Sequence, residues 1–294
     1  MSNNTKLLIL QLLFTVLGLF VKELTYDLGV FQQVFLRMTL VAVLTSAWAS
    51  KGQLALIKNR RDVLIGAIRA GLMTVVGAGC YVAAMQSSKL AIVSFLSCLP
   101  FEAAWGMLLF KEQLQRKQAL GFSVSIVGIW VMHSGHMDGV NEEALIGGML
   151  AMLSGLAWGL GVALAKYHSP SLGTRSVTLL SLWWGVVWSG AASICSKEIS
   201  LLPSTPTAWS VLLGSVVVVM GASWLLNELS RTVPMTKLAV SGLMQPVLTA
   251  LLAFVVLGER LSLTQCVAGM IVLGGVLICN LSWSRRMRLN FEVC

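Results

Sequence analysis

Three ionisable residues lie deep in apolar sequence and are the groups best placed to do chemistry: Arg37, Arg69 and Glu102. A charge held away from water costs about 3 kcal/mol or more unless it is paired, hydrated or neutralised. Glu102 therefore reads in two ways. It is a cavity-facing carboxylate that exchanges a proton or binds the cationic part of a solute, or it is a structural acid paired with Arg37 or Arg69 or held neutral by a neighbour. Arg37 could grip a carboxylate or phosphate, or brace helices through backbone carbonyls. Arg69 lies nearer the end of its apolar run, where snorkelling to the surface accounts for it.

Other chemistries find less support. His133, His136 and Asp138 have a spacing that could ligate a metal but no further ligand set nearby, so a polar loop is the simpler reading. The six cysteines form no CxxC and mostly sit in apolar stretches as small packing residues. No GxSxG, HExxH or Walker A sequence occurs, so catalysis, a bound cofactor and ATP use are not expected.

Large side chains around Glu102 complete a candidate binding set. Trp105, Trp158, Trp224 and Tyr81, with Asn227 and Gln245, could wall a site for an apolar or cationic solute. Pro100 and Pro246 each remove a hydrogen bond in mid-run, which is tolerated where protein or cavity water satisfies the freed carbonyl. Gly155, Gly159 and Ala163 form a small-residue ridge suited to close helix packing.

The solvent for these elements must be lipid. The chain has 294 residues, 56% hydrophobic and only 11% charged, with a mean hydropathy of +0.82. A soluble protein is about one quarter charged. The net charge of +9 is spread in short clusters between apolar runs, without the basic stripe that nucleic-acid binding requires.

Crossing the hydrocarbon takes about 20 apolar residues in a helix. Such runs fall near 6–22, 29–49, 63–86, 90–110, 118–135, 144–165, 175–195, 208–229, 237–257 and 263–283. They leave no room for a soluble catalytic domain, and the first reads as a retained helix. With the N-terminus in the cytoplasm, fifteen Lys and Arg fall on the cytoplasmic side and four on the other. That bias sets both termini in the cytoplasm.

A pattern is written twice in these runs. At a constant offset of 147, Ser94 pairs with Ser241, Leu96 with Leu243, Glu112 with Glu259, Gln118 with Gln265 and Gly128 with Gly275. The same offset pairs Cys98 with Gln245 and Glu102 with Thr249. Five spans per half is an odd number, so the second half must enter the membrane from the opposite side. The expectation is an all-α polytopic membrane protein: ten transmembrane helices as two inverted five-helix repeats, 1–138 and 139–294, around a central cavity.

The ends of both halves resemble the EamA family of the drug/metabolite transporter superfamily. The second copy carries Gln245-Pro246, Leu257-Gly258-Glu259-Arg260-Leu261, Gly269 and Gly275; the first carries Leu99-Pro100 and Phe110-Lys111-Glu112-Gln113-Leu114. Leu36-Arg37 and Ala157-Trp158-Gly159 are further matches, whereas Leu17-Gly18 stands where the family usually has Trp-Gly. The resemblance implies secondary transport without nucleotide hydrolysis, in a multi-pass protein of the inner membrane. It points to efflux of a small metabolite, an amino acid or an amphipathic compound, by a monomer or homodimer, with protons as the candidate coupling ion. The alternative is a non-transporting membrane receptor or scaffold.

Overall fold

A computed structural model describes residues 1–48, 59–87, 90–134, 142–168, 172–198, 202–257 and 263–291. Among them every regular element is helical. The first half runs α1 (Asn3–Leu24), α2 (Val30–Trp48), α3 (Arg60–Gly71), a π-helical stretch (Leu72–Ala78), α4 (Gly79–Ser87), α5 (Leu90–Ser97), α6 (Phe101–Phe110) and α7 (Arg116–Ser134). The second runs α8 (Glu142–Leu164), a short 3-10 turn (Ala165–Tyr167), α9 (Thr174–Cys195), α10 (Pro206–Thr232), α11 (Met235–Gly242), α12 (Gln245–Leu257) and α13 (Leu263–Phe291). Among the described residues seven helical stretches are long and apolar enough to cross a membrane, and Phe101–Phe110 and Cys266–Ile278 are shorter apolar helices.

Local chemistry explains several boundaries. Ser2 accepts from the Thr5 amide and opens α1; Asn59 accepts from the Arg61 amide and opens α3. Thr205 caps α10, with Pro206 in its first turn where the missing N–H costs nothing. α6 closes on Lys111 in the left-handed region, at φ 52°.

The two mid-run prolines end helices outright. α5 stops at Ser97 and α6 restarts after Pro100; α11 stops at Gly242 and α12 restarts at Gln245, just before Pro246. Without a proline N–H, and with a ring that crowds the preceding turn, one continuous helix would be the costlier arrangement.

Packing between the halves repeats when the halves are exchanged. α1 lies against α10, as α8 lies against α3, the π-helical stretch and α4. α5 and α6 meet α8, as α11 and α12 meet α1. α2 with α9 and α7 with α13 are pairings of equivalent helices. Buried clusters such as Leu7, Leu10, Val162, Ala222, Leu226 and Met235 join helices of both halves. The outer face stays apolar, with Leu108, Val217, Val255 and Met270 strongly exposed, as a lipid-facing surface requires.

His136 and Asp138, the side chain of His133, and Gly258-Glu259-Arg260-Leu261 lie outside what the structure describes.

Candidate functional site

A cavity of about 200 Å³ opens between the halves. α1 and α2 supply Gln11, Phe14 and Arg37, and α3 with the π-helical stretch supplies Arg69, Met73 and Thr74. Glu102 comes from the first turn of α6, Trp158 from α8, Asn227 from α10 and Gln245 from α12. Tyr81 and Cys98 also line it. Six residues expected from sequence therefore meet at one site: Arg37, Tyr81, Glu102, Trp158, Asn227 and Gln245.

Glycines bring the broken helix close to α8. A Cβ on Gly155 would stand 2.3 Å from the carbonyl oxygen of Ser97, and one on Gly159 would stand 3.1 Å from the Glu102 amide nitrogen. The small-residue ridge thus seats the α5–α6 break and presents Glu102 to the cavity. Among the described residues Glu102 enters no ion pair, so the pairing with Arg37 or Arg69 entertained from sequence is not formed.

Arg37 is 3% exposed, and its Nε and Nη1 have no hydrogen-bond partner among the described residues. Among the described residues no backbone carbonyl braces these two nitrogens. Arg69 requires a correction, because it is buried against the cavity instead of snorkelling. Its Nε donates to the carbonyl of Gly161 at 2.8 Å and its Nη1 to Ser181 Oγ at 2.9 Å. Residue 69 stands one turn from the π-helical stretch, and the partners on α8 and α9 draw the side chain inward.

Two amides are oriented by their neighbours. Ser241 Oγ donates to the carbonyl of Leu238, so it can only accept from Gln11 Nε2, 3.1 Å away. Thr178 Oγ1 donates to the carbonyl of Thr174 and so accepts from Asn227 Nδ2 at 3.0 Å. Gln11 Oε1 and Asn227 Oδ1 are left as buried acceptors with no partner among the described residues.

Aromatic walls follow a similar logic. Trp158 meets Phe14 edge-on with ring centroids 5.7 Å apart. Tyr81 places its hydroxyl 3.4 Å from Ser94 Oγ, and a Cβ on Gly18 would stand 3.2 Å from that hydroxyl. Two expected wall residues lie elsewhere. Trp105 donates its indole N–H to the carbonyl of Leu156 at 3.1 Å and packs against the core that joins α1, α8 and α10. Trp224 stacks under Arg175, 5.3 Å from the ring centroid, in a separate groove with Trp48 and Met220. On α6 the cavity-facing position goes to Glu102, and Trp105 falls on the flank towards α8.

Gln11, Arg69, Thr178 and the π-helical stretch are cavity elements that the sequence does not reveal. The π-helical stretch carries no sequence signal of its own, although such stretches often occur at functional sites. Gln11 was legible only as a lone amide within an apolar run.

Polar contacts gather at the end of the bundle that carries Lys6. Glu112 accepts from the amides of Met235 and Thr236 at 2.9 and 3.0 Å and pairs with Lys166 at 3.1 Å. Lys6 pairs with Glu228, and His168 Nδ1 lies 3.5 Å from Asp62 Oδ1.

A multi-pass helical bundle with a charged, aromatic cavity at the meeting of two similar halves is a membrane transporter. The chain belongs to the EamA-like transporter family, whose profile it matches over residues 5–134 and again over 145–281. That family consists of transporters, not enzymes. A probable amino-acid metabolite efflux pump of Salmonella typhimurium is 26% identical over 189 residues, 60% of this chain and 62% of that protein. The match spans less than two thirds of the Salmonella protein. An uncharacterized transporter of Archaeoglobus fulgidus is 24% identical over 200 residues, 67% of this chain and 70% of that one. Another, from Methanothermobacter thermautotrophicus, is 25% identical over 234 residues, 78% and 67% of the two chains. One crystal structure superposes with a TM-score of 0.75 at 18% identity, covering 97% of this chain and 98% of its own, a likeness of fold.

Proposed function

We propose that the chain is a secondary carrier that exports a small metabolite, an amino acid or an amphipathic compound, by alternating access. The observation that carries this reading is the cavity between the halves, into which Glu102 projects without an ion pair among the described residues. Pairing that survives exchange of the halves supports ten spans in two inverted repeats, 1–138 and 139–294. Rocking one half against the other would then expose the cavity to each side in turn. The Lys and Arg bias supports both termini lying in the cytoplasm, and the family resemblance supports an inner-membrane location.

In this reading Glu102 is the main electrostatic element, Arg37, Gln245 and Asn227 are polar contacts, and Trp158 and Tyr81 are walls. The helix breaks at Pro100 and Pro246 supply the bending points. Protons are the coupling ion, because Glu102 is a titratable group facing the cavity. The unit that transports is a monomer or a homodimer.

The test is saturable flux in proteoliposomes, with and without a pH gradient, for wild type, Glu102→Gln and Trp158→Ala at equal reconstitution. Flux that responds to the gradient and is lost in both variants supports the carrier and its site. Unchanged flux in both variants removes the site, and no flux of any metabolite removes the carrier.

A further inference from the structure

Arg175 and Trp224 belong to a second cleft, apart from the central cavity. It holds about 560 Å³ between α1, α2, α9 and α10. Its floor is apolar, with Ile9 and Leu13 from α1, Leu179 from α9, and Met220 and Leu225 from α10. Ile9 and Leu13 follow Lys6 on α1 by about one and two turns, so the cleft lies towards the Lys6 end of the bundle. Thr178 stands on the partition between the two spaces. Its hydroxyl is already engaged by the carbonyl of Thr174 and the amide of Asn227.

Two polar groups in the cleft point to a ligand. Arg175, exposed in the first turn of α9, enters no ion pair among the described residues. Its guanidinium lies over the Trp224 ring, and a ring face attracts the charge without consuming N–H donors. Thr45 Oγ1 on α2 is buried with no hydrogen-bond partner among the described residues. A hydroxyl in that state carries a desolvation cost that a ligand oxygen can offset. Trp48, 80% exposed and one turn further along α2, rims the cleft at the place where tryptophan meets lipid headgroups.

These features fit an amphiphile with an anionic, oxygen-rich head and an aliphatic body. A soluble anion would answer Arg175 and leave the apolar floor bare. A neutral hydrocarbon would cover the floor and leave both polar groups unanswered. Arg175 and Trp48 are exposed, so the cleft opens on the outer surface of the bundle, where lipid is the solvent.

We propose that this cleft binds one anionic phospholipid from the leaflet at the Lys6 end. Arg175 holds the phosphate, and the Thr45 hydroxyl, one turn inward from Trp48, donates to an oxygen of the glycerol esters. Trp48 and Trp224 flank the headgroup, and an acyl chain lies along Leu13, Met220 and Leu225. The site is separate from the central cavity and stands whether or not the carrier reading does.

The test uses the full chain in detergent and counts retained lipids by native mass spectrometry. Phosphatidylglycerol and phosphatidylcholine with the same acyl chains are offered in equal amounts. One basic residue beside an anionic headgroup is worth about fivefold in binding, so the first lipid retained should favour phosphatidylglycerol by about that factor. Arg175→Gln should bring the two lipids to parity, and Arg175→Lys should keep part of the preference. Retention of phosphatidylcholine at the wild-type level in Arg175→Gln shows that the variant is folded. Arg61→Gln, which removes an exposed charge outside the cleft, should leave the preference intact. Gly221 supplies a steric arm. A Cβ there would meet only Leu13 Cδ1, at 3.5 Å, so Gly221→Leu fills the floor and should lower retention of both lipids several-fold. Equal binding of the two lipids by wild type overturns the inference. So does a preference lost as fully in Arg61→Gln as in Arg175→Gln, because net charge alone would then attract the lipid. Glycerol 3-phosphate, a head without chains, should not displace the lipid at equal concentration; if it does, the cleft takes a free phosphate and the leaflet assignment falls.

Discussion

Ser125 on α7 donates its hydroxyl to the carbonyl of Val272 on α13, 3.2 Å away, and the two positions are 147 residues apart. That separation is the repeat offset, so each is the other's counterpart. A contact between equivalent positions lies where a twofold exchange of the halves maps the structure onto itself. On the proposed inverted-repeat reading, Ser125 and Val272 mark where such an axis passes, and α7 and α13 are the helices that meet there.

Glycine permits that approach, and two adjacent glycines make it testable. A Cβ on Gly275 would stand 2.2 Å from Ser125 Oγ and 2.5 Å from the Gly121 carbonyl oxygen, whereas one on Gly274 meets nothing within 4 Å. Backbone cannot step aside as a side-chain tip can. Gly275→Ala should lower stability by about 1–3 kcal/mol, and Gly274→Ala should change it little. Thermal unfolding of both variants in the same detergent decides the point; equal melting temperatures would mean that α7 and α13 are not packed this closely.

Much of this architecture was legible because membrane burial imposes simple rules. Length and apolarity marked the helical runs, and Pro100 and Pro246 marked the breaks, since an absent N–H and a clashing ring act locally. Glu102 and Arg37 stood out because charge is rare in apolar sequence. The cavity's finer composition was not legible. Which face of a helix Gln11 or Trp105 occupies depends on rotation against neighbours, and a helix apolar all round carries no sequence signal of rotation. Arg69 was misread for the same reason: distance from a span end is visible in sequence, but Gly161 and Ser181 as partners are not.

Trp105 and Trp158, both candidates from sequence, should now separate by experiment. Trp158→Phe alters the cavity wall and should lower saturable flux several-fold at equal reconstitution while leaving unfolding close to wild type. Trp105→Phe keeps most of the apolar area but loses the N–H donated to Leu156. It should cost about 1 kcal/mol of stability and leave flux unchanged. Parallel flux and unfolding measurements on the two variants distinguish these outcomes, and loss of flux in Trp105→Phe alone would reverse the assignment.

His168 gives a pH dependence at the end of the protein that carries Lys6. Burial, and then the nearby Arg69, lower its pKa to about 4, against the partial support of Asp62. Unfolded, the imidazole titrates near its ordinary 6.5. Because the folded state resists the proton, the neutral side chain favours folding fully above about pH 6.5. That contribution is lost as the pH falls from 6.5 towards 4. Melting temperature followed across that window should decline in wild type and decline less in His168→Gln. Parallel curves would show that His168 takes no part.

Glu112 acts in a lower window and across a larger distance in sequence. α11 begins after Pro234, which offers no side-chain cap, so the first amides of the helix take their acceptor from the loop after α6. Burial alone would raise the pKa of this carboxyl. The amides of Thr236 and Met235, with Lys166, outweigh it and hold the value below the usual carboxylate range. A lowered carboxylate contributes stability fully above its unfolded value, about 4.3, and loses it as the pH falls through the folded value. Glu112→Gln should therefore cost about 1–2 kcal/mol at neutral pH and flatten the decline below about pH 4.3. Lys166→Met should cost less, since the two backbone donors remain, and the double variant should fall short of the sum because the residues share one contact. Strict additivity in that double-mutant cycle would show that Glu112 and Lys166 act independently, leaving the amides of α11 as the whole anchor.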